Sequence, residues 1–268
     1  MPDGSLPAAA AVINALFILA GVYIYLALAR QIGARAVEET EPRRTFGLPD
    51  VVLALALATL FGVNAASASP QAEKMILRTN DLIANGLVSV GLFVFVAAFL
   101  TVRGRDVNEL AGFARLPFWR TLFTAGILLF AAYPLVFIAD QITQRMLGAP
   151  SSRQGIVELF SGSQTLKQRV LIIILAVGIA PLVEEFIFRF FLYGVVRRYL
   201  GRFVALVLTS ALFAAVHAHL PSAGPLFVLG ACFALAYEWS GSLVVPMTMH
   251  AFFNAVTLTA LAFPERFP

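Results

Sequence analysis

The chain has 268 residues, 60% of them hydrophobic and 13% charged, and its mean hydropathy is +0.86. This composition excludes an ordinary soluble domain and predicts a polytopic helical membrane protein. The formal net charge of +4 does not indicate a nucleic-acid partner, because the basic residues are spread over the connections between apolar segments, as topology signals are.

Eight apolar segments can be drawn as helices crossing a bilayer, whose hydrocarbon core is about 30 Å thick. They are residues 8–29, 51–68, 82–102, 118–139, 170–196, 203–219, 224–239 and 243–263. The first has no basic region before it and is longer than the apolar core of a signal peptide, so we expect a retained span. The expected fold is all-α, a polytopic membrane protein with about eight transmembrane helices and a polar intramembrane cavity.

The connections between these segments predict an orientation. The first, third and fifth carry eleven basic residues against seven on the opposite side. The positive-inside rule then places these three connections in the cytoplasm and both termini outside. The fourth connection, 140–169, is the longest and contains an apolar patch at 156–160, expected either on the membrane surface or over a cavity.

The sequence Glu184-Glu185-x-x-x-Arg189 lies near the middle of the fifth segment. At a rise of ~1.5 Å per residue, Glu184 is roughly 20 Å from the charged residues at either end of the segment. Each charge at this depth costs on the order of 2.5–3.5 kcal/mol, so these side chains must face protein or a wet cavity. Glu185 and Arg189 are four residues apart and can form an ion pair, whereas Glu184 points about 100° away. An ion pair that only fixes helix packing needs one carboxylate, and this motif has two.

Two later segments also carry polar side chains at depth. His217 lies in the sixth, and His250 and Asn254 share one helical face of the eighth. His219 is expected at the membrane interface without a part in the site. A lone histidine in a span often only bonds to a neighbouring helix, but these groups and the glutamates are able to converge inside one bundle.

Such a set of side chains suits hydrolysis of an acyl bond. A glutamate in a dehydrated pocket can accept a proton from water, and His and Asn side chains can donate hydrogen bonds to the oxyanion. Glu184, His217 and His250 are also suitable ligands for a divalent metal such as zinc, although a His-Glu-x-x-His helix is absent. On the residues alone, the metal and metal-free interpretations both stay open.

Three ordered motifs resemble those of the CPBP family, which contains type II CAAX prenyl proteases and bacteriocin-processing or Abi proteins. They are Glu184-Glu185-x-x-x-Arg189, Ser210-x-x-Phe213-x-x-x-His217 and Gly241-Ser-x-x-x-Pro246-x-x-x-His250-x-x-x-Asn254. The resemblance covers about residues 165–263. One position departs from the family pattern, since Phe190 stands where a glycine usually follows the motif arginine. We expect Phe190 either to narrow the cavity or to alter helix packing.

The resemblance implies an intramembrane endopeptidase that acts on a membrane-associated protein or peptide within the lipid bilayer. It implies that Glu184 and His217 activate the attacking water, and that His250 and Asn254 hold the oxyanion. Members of the family have been called metalloproteases, and a glutamate mechanism without a metal is also proposed. We favour the metal-free form, because His250 shares its helical face with Asn254 and suits an oxyanion donor better than a zinc ligand.

Glu185 and Arg189 are implied as the supporting pair behind these catalytic residues. The implied organisation is one integrated membrane domain, with about four N-terminal helices and the long loop in residues 1–164 and the catalytic core in 165–268. The excess of Arg over Lys is compatible with a GC-rich genome and therefore with a prokaryotic cell membrane.

Two other functional classes compete with this interpretation. In a proton-coupled transporter, Glu184 and His217 would relay protons, as intramembrane carboxylates and histidines often do. The sequence has no repeated halves with matching broken helices, which argues against that class. A non-catalytic scaffold or immunity protein is the second alternative, and the intact set of buried charges argues against it.

Overall fold

The structure, a computed structural model, describes residues 5–38, 46–67, 79–148, 160, 162–163 and 165–263. Within these ranges all regular structure is helical. The first helices are α1 (Ser5–Glu38), α2 (Leu48–Ser67), α3 (Thr79–Val102), the short α4 (Val107–Ala111) and α5 (Phe118–Leu147). A long helical run, Leu166–Val216, follows, and a 3₁₀ turn at Leu220–Ser222 leads to the last two helices, α8 (Ala223–Ser240) and α9 (Val244–Ala262).

The long run is broken at Gly201, whose backbone has φ 83° and ψ 171°. A residue with a Cβ rarely adopts this conformation, so glycine allows the break. The break separates α6 (166–200) from α7 (202–216), and these correspond to the predicted segments 170–196 and 203–219. Seven helices of the described chain are long and apolar enough to cross a membrane, the undivided run counting as one of them. The predicted all-α polytopic fold of about eight helices is therefore confirmed.

Helix α8 is at the centre of the bundle. Half of its apolar window is buried, a larger share than in the other candidate spans, and it packs against α1, α5, α7 and α9. Its sequence is rich in glycine and alanine, which let neighbouring helix backbones approach closely. The next helix, α9, is thereby held against α8 and α6, where it carries two of the predicted site residues.

An ion cluster holds the break at Gly201. The carboxylate of Glu238, near the end of α8, accepts hydrogen bonds from Tyr193 Oη and from Arg202 Nε, the latter at 2.6 Å. Arg197 Nη1 lies 2.9 Å from the same carboxylate. The cluster joins the end of α6, the start of α7 and α8, so the two halves of the long run keep a fixed geometry.

The turn between α8 and α9 is held by α4. The amide of Leu243 donates to the Ala111 carbonyl at 2.9 Å. Gly112, with φ 67°, lies so close to this turn that a Cβ would overlap the Gly241 carbonyl oxygen. These contacts fix the start of α9 and therefore the height of His250 in the bundle.

Two expectations concern residues that pack around α6. Phe190 is buried and its ring contacts Phe46 at 6.0 Å and Phe186 at 5.1 Å between centroids, so the side chain at this position is part of the helix packing. Of the apolar patch 156–160, residues 156–159 lie outside the described part of the chain. Phe160 is buried with Ile172 and other residues of α3, α6 and α9.

Candidate active site

Two π-helical segments shape the part of α6 that carries the glutamates. They are Ile174–Ile179 and Phe186–Leu192, on either side of the α-helical turn Ala180–Glu185. A π segment bonds each amide to the carbonyl five residues earlier, and such segments occur frequently at functional sites. Glu184 and Glu185 are thus presented on a short α-helical turn between two widened ones.

A chain of buried charged and polar groups crosses from α6 to α9. Arg189 Nε lies 3.1 Å from Glu185 Oε2, as the four-residue spacing predicted. The other oxygen, Glu185 Oε1, lies 2.9 Å from His250 Nδ1. Both Glu185 and Arg189 are almost completely buried, so neither charge is compensated by bulk water. The contact with His250 was not predicted, since a spacing of 65 residues carries no local signal.

Arg189 is enclosed by aromatic rings. Its guanidinium carbon lies 4.0 Å from the centroid of Phe213 and 5.3 Å from that of Phe233. Its Nη2 donates to the Gly230 carbonyl at 3.4 Å. The faces of the rings are attractive to a cation, so they replace part of the hydration that burial removes.

Gly230 leaves the room that Arg189 occupies. A Cβ there would lie 3.2 Å from Arg189 Nη2 and 3.2 Å from Phe213 Cδ1, tighter than ordinary contacts. Gly230→Ala is therefore expected to lower the free energy of unfolding by about 1–3 kcal/mol through overpacking. Thermal unfolding in detergent measures this. Gly126→Ala is the matched control, because its Cβ would meet nothing within 4 Å. Equal stability of the two variants would show that the side chains around Arg189 can make room for a methyl group.

Glu184 is placed differently from its neighbour. Its side chain is 30% exposed, and its Oε2 lies 4.0 Å from His250 Nε2. The ring of His250 therefore stands between the two glutamates, with one nitrogen facing each carboxylate. Glu185 is paired with Arg189 and His250, whereas the Glu184 side chain is partly exposed and its buried Oε2 has no hydrogen-bond partner among the described residues.

His217 is at the end of α7 and not inside it, because the next residue, Ala218, has φ 51°. Its Nδ1 lies 2.7 Å from the Phe213 carbonyl oxygen. A carbonyl only accepts, so Nδ1 donates and Nε2 is the unprotonated nitrogen of the neutral ring. The Phe213 ring contacts both His217 and His250, at 4.9 and 5.9 Å between centroids, and so lies between the two histidines. His219 bonds instead to Ser222 Oγ at 2.7 Å, in the turn after α7.

Asn254 lies one helical turn after His250 on α9. Its Nδ2 donates to the carbonyl oxygen of Ala176 at 2.8 Å, in the first π segment of α6. One amide hydrogen is thus used within the protein, and the second remains for another acceptor.

The ligand set for a metal is incomplete in this geometry. Glu184 and His250 face each other, but the described residues contain no group of three His, Cys, Asp or Glu side chains able to hold a metal ion. His217 therefore does not complete a set with them. Catalytic zinc takes three protein ligands, so the predicted trio does not fit zinc in this arrangement.

Seven helices long and apolar enough to cross a membrane, among the described residues, define the class of an integral membrane protein, and ionisable side chains from separate helices meet inside its bundle. Residues 166–256 match the family model of the Type II CAAX prenyl endopeptidase Rce1-like proteins. The match confirms the resemblance for this part of the chain and, at the level of the family, supports a CAAX-type intramembrane protease. It runs from the start of α6 into α9 and includes all the predicted site residues. A search of the curated proteins and a search of the solved structures each found no match.

Proposed function

We propose that this protein is an intramembrane endopeptidase that hydrolyses a peptide bond of a membrane-associated protein or peptide with a water activated by Glu184. The observation that carries the proposal is the contrast between two adjacent glutamates. Glu185 is buried and bonded to Arg189 and His250, whereas Glu184 is 30% exposed beside the same histidine. A supporting carboxylate and a reactive one are expected to differ in this way.

The proposed reaction begins with a water between Glu184 and the scissile carbonyl. Glu184 takes one proton from this water while the water oxygen attacks the carbonyl carbon. The carbonyl oxygen becomes an oxyanion. When the C–N bond breaks, the proton held by Glu184 passes to the leaving amine. His217 supports this step, because its unprotonated Nε2 can accept a hydrogen bond from the same water.

Stabilisation of the oxyanion is assigned to His250 and Asn254. Since His250 Nδ1 faces Glu185, donation from Nε2 to the oxyanion uses a ring that carries a proton on each nitrogen. Asn254 has one amide hydrogen left after its bond to Ala176. Removing one such donor typically costs about 10²–10³-fold in rate.

We also propose that residues 165–268 form the catalytic core and residues 1–164 the N-terminal helices of one integrated membrane domain. The family match from residue 166 supports this division. A substrate embedded in or attached to the bilayer suits a site at this depth, and the family description makes a prenylated CAAX peptide the first substrate to test.

The proposed function is tested by membrane proteomics of cells that carry either the wild type or Glu184→Gln. We expect an uncut membrane-associated precursor to accumulate in the variant, together with loss of its shorter product. Asn85→Ala, an exposed site on α3, is the control and should leave processing unchanged. An identical membrane proteome in wild type and Glu184→Gln would instead favour a proton-coupled transporter or a scaffold.

A further inference from the structure

The first π segment of α6 leaves one backbone carbonyl without a donor. In this segment the Ala180 amide donates to the Leu175 carbonyl, five residues earlier. The next carbonyl, that of Ala176, would accept from residue 181 in the same register. Residue 181 is proline, which has no amide hydrogen. The Ala176 carbonyl is therefore denied its donor by Pro181.

The missing donor is supplied by another helix. Asn254 Nδ2 on α9 donates to the Ala176 carbonyl at 2.8 Å. Ala176 is 6% exposed, and an unpaired carbonyl at membrane depth is costly, so this hydrogen bond meets a strong requirement. Pro181 thus leaves the Ala176 carbonyl free to accept the hydrogen bond from Asn254 that joins α9 to α6.

This bond has a consequence for the site, because Asn254 lies one turn from His250. Helix α9 contacts α6 through polar bonds at two points one turn apart, His250 to Glu185 at 2.9 Å and Asn254 to Ala176 at 2.8 Å. Two such points fix both the rotation and the height of α9. The position of His250 Nε2, 4.0 Å from Glu184 Oε2, depends on both.

We propose that Pro181 is a positioning residue of the site, which acts through the Ala176 carbonyl and Asn254 to hold His250 between the two glutamates. Its significance for catalysis rests on the proposed protease function, whereas the bonded link itself does not. Asn254 accordingly has a structural task on α6 in addition to its proposed hydrogen bond to the oxyanion.

The link is tested by a double-mutant cycle on the full-length protein in detergent, with thermal unfolding as the readout. Pro181→Ala restores an amide hydrogen to α6, so the Ala176 carbonyl no longer depends on Asn254. Asn254→Ala should lower the melting temperature by about 2–4 °C in the wild-type background, and by clearly less in the Pro181→Ala background. The control cycle pairs Asn254→Ala with Pro49→Ala at the exposed start of α2, which should give additive losses.

A second readout separates positioning from stability alone. The chain has three histidines, so selective ¹⁵N labelling of histidine gives few signals, and the Nδ1 proton of His250 reports its bond to Glu185. We expect this signal to shift in folded Pro181→Ala and Asn254→Ala proteins, and to stay unchanged in Pro49→Ala. Single-turnover cleavage of a farnesylated CAAX peptide should slow about tenfold or more in Pro181→Ala, independently of the amount of folded protein.

Equal melting-temperature losses for Asn254→Ala in both backgrounds would overturn the proposal, as would an unchanged His250 signal in Pro181→Ala. A wild-type protein that cleaves neither the farnesylated peptide nor any precursor found by membrane proteomics would defeat the proposed function alone. In that case the thermal cycle and the histidine signals still decide whether Pro181 and Asn254 are linked.

Discussion

Glu184→Gln and His217→Ala are each expected to reduce the single-turnover cleavage rate by about 10²–10⁴-fold, and the double variant to be scarcely slower than either. The reason is that both side chains act on the same water. Once the carboxylate that takes the proton is lost, a histidine that only orients this water adds little to the cleavage rate. Losses that multiply would mean that the two residues serve different steps.

The measurement uses purified protein in liposomes and a peptide identified from the accumulated precursor. His219→Ala is the matched control, because His219 bonds to Ser222 in the turn after α7 and has no proposed role. We expect it to retain the wild-type rate. Asn254→Ala should keep a measurable part of the activity, since His250 still donates to the oxyanion. Full activity in Glu184→Gln would end the protease assignment.

Arg189→Ala is expected to destabilise the protein by about 3–5 kcal/mol, because it leaves the buried Glu185 carboxylate without its cation. The loss includes the contacts of the guanidinium with the faces of Phe213 and Phe233. Thermal unfolding and the yield of folded protein in the membrane should both fall. Activity should fall with them, because Glu185 also bonds to His250.

Arg198→Ala is the control for this prediction. Arg198 belongs to the same helix but is exposed, so its replacement should change stability by no more than about 0.5 kcal/mol. A stable, well-expressed and inactive Arg189→Ala protein would contradict the supporting role and would place the guanidinium in contact with the substrate.

The parts of the site that depend on local spacing could be predicted from the sequence. The pairing of Glu185 with Arg189 follows from residues four apart on one helix, and their burial follows from the apolar segment around them. A missing hydrogen bond near Pro181 also follows from the sequence, because proline has no amide hydrogen. Which carbonyl it frees depends on the π register, which no periodicity of the sequence predicts.

The contacts between helices could not be predicted in this way. His250 bonds to Glu185 and Asn254 to Ala176 across 65 and 78 residues, and both depend on how α9 rotates against α6. His217 was expected within a helix, but α7 ends at Val216, directly before it. The position of a helix end decides which backbone groups a side chain contacts, and the sequence did not locate this end. The break at Gly201 was located only as a gap between two apolar segments.

Glu184 and Glu185 are assigned different tasks, and a paired measurement on the two residues distinguishes them. Purified Glu184→Gln and Glu185→Gln proteins are compared by thermal unfolding and by single-turnover cleavage in liposomes. We predict that Glu184→Gln melts like the wild type but cleaves about 10²–10⁴-fold more slowly, whereas Glu185→Gln melts at a clearly lower temperature. Cleavage at the wild-type rate by Glu184→Gln, or an equal loss of stability in both variants, would contradict this division of tasks between the two glutamates.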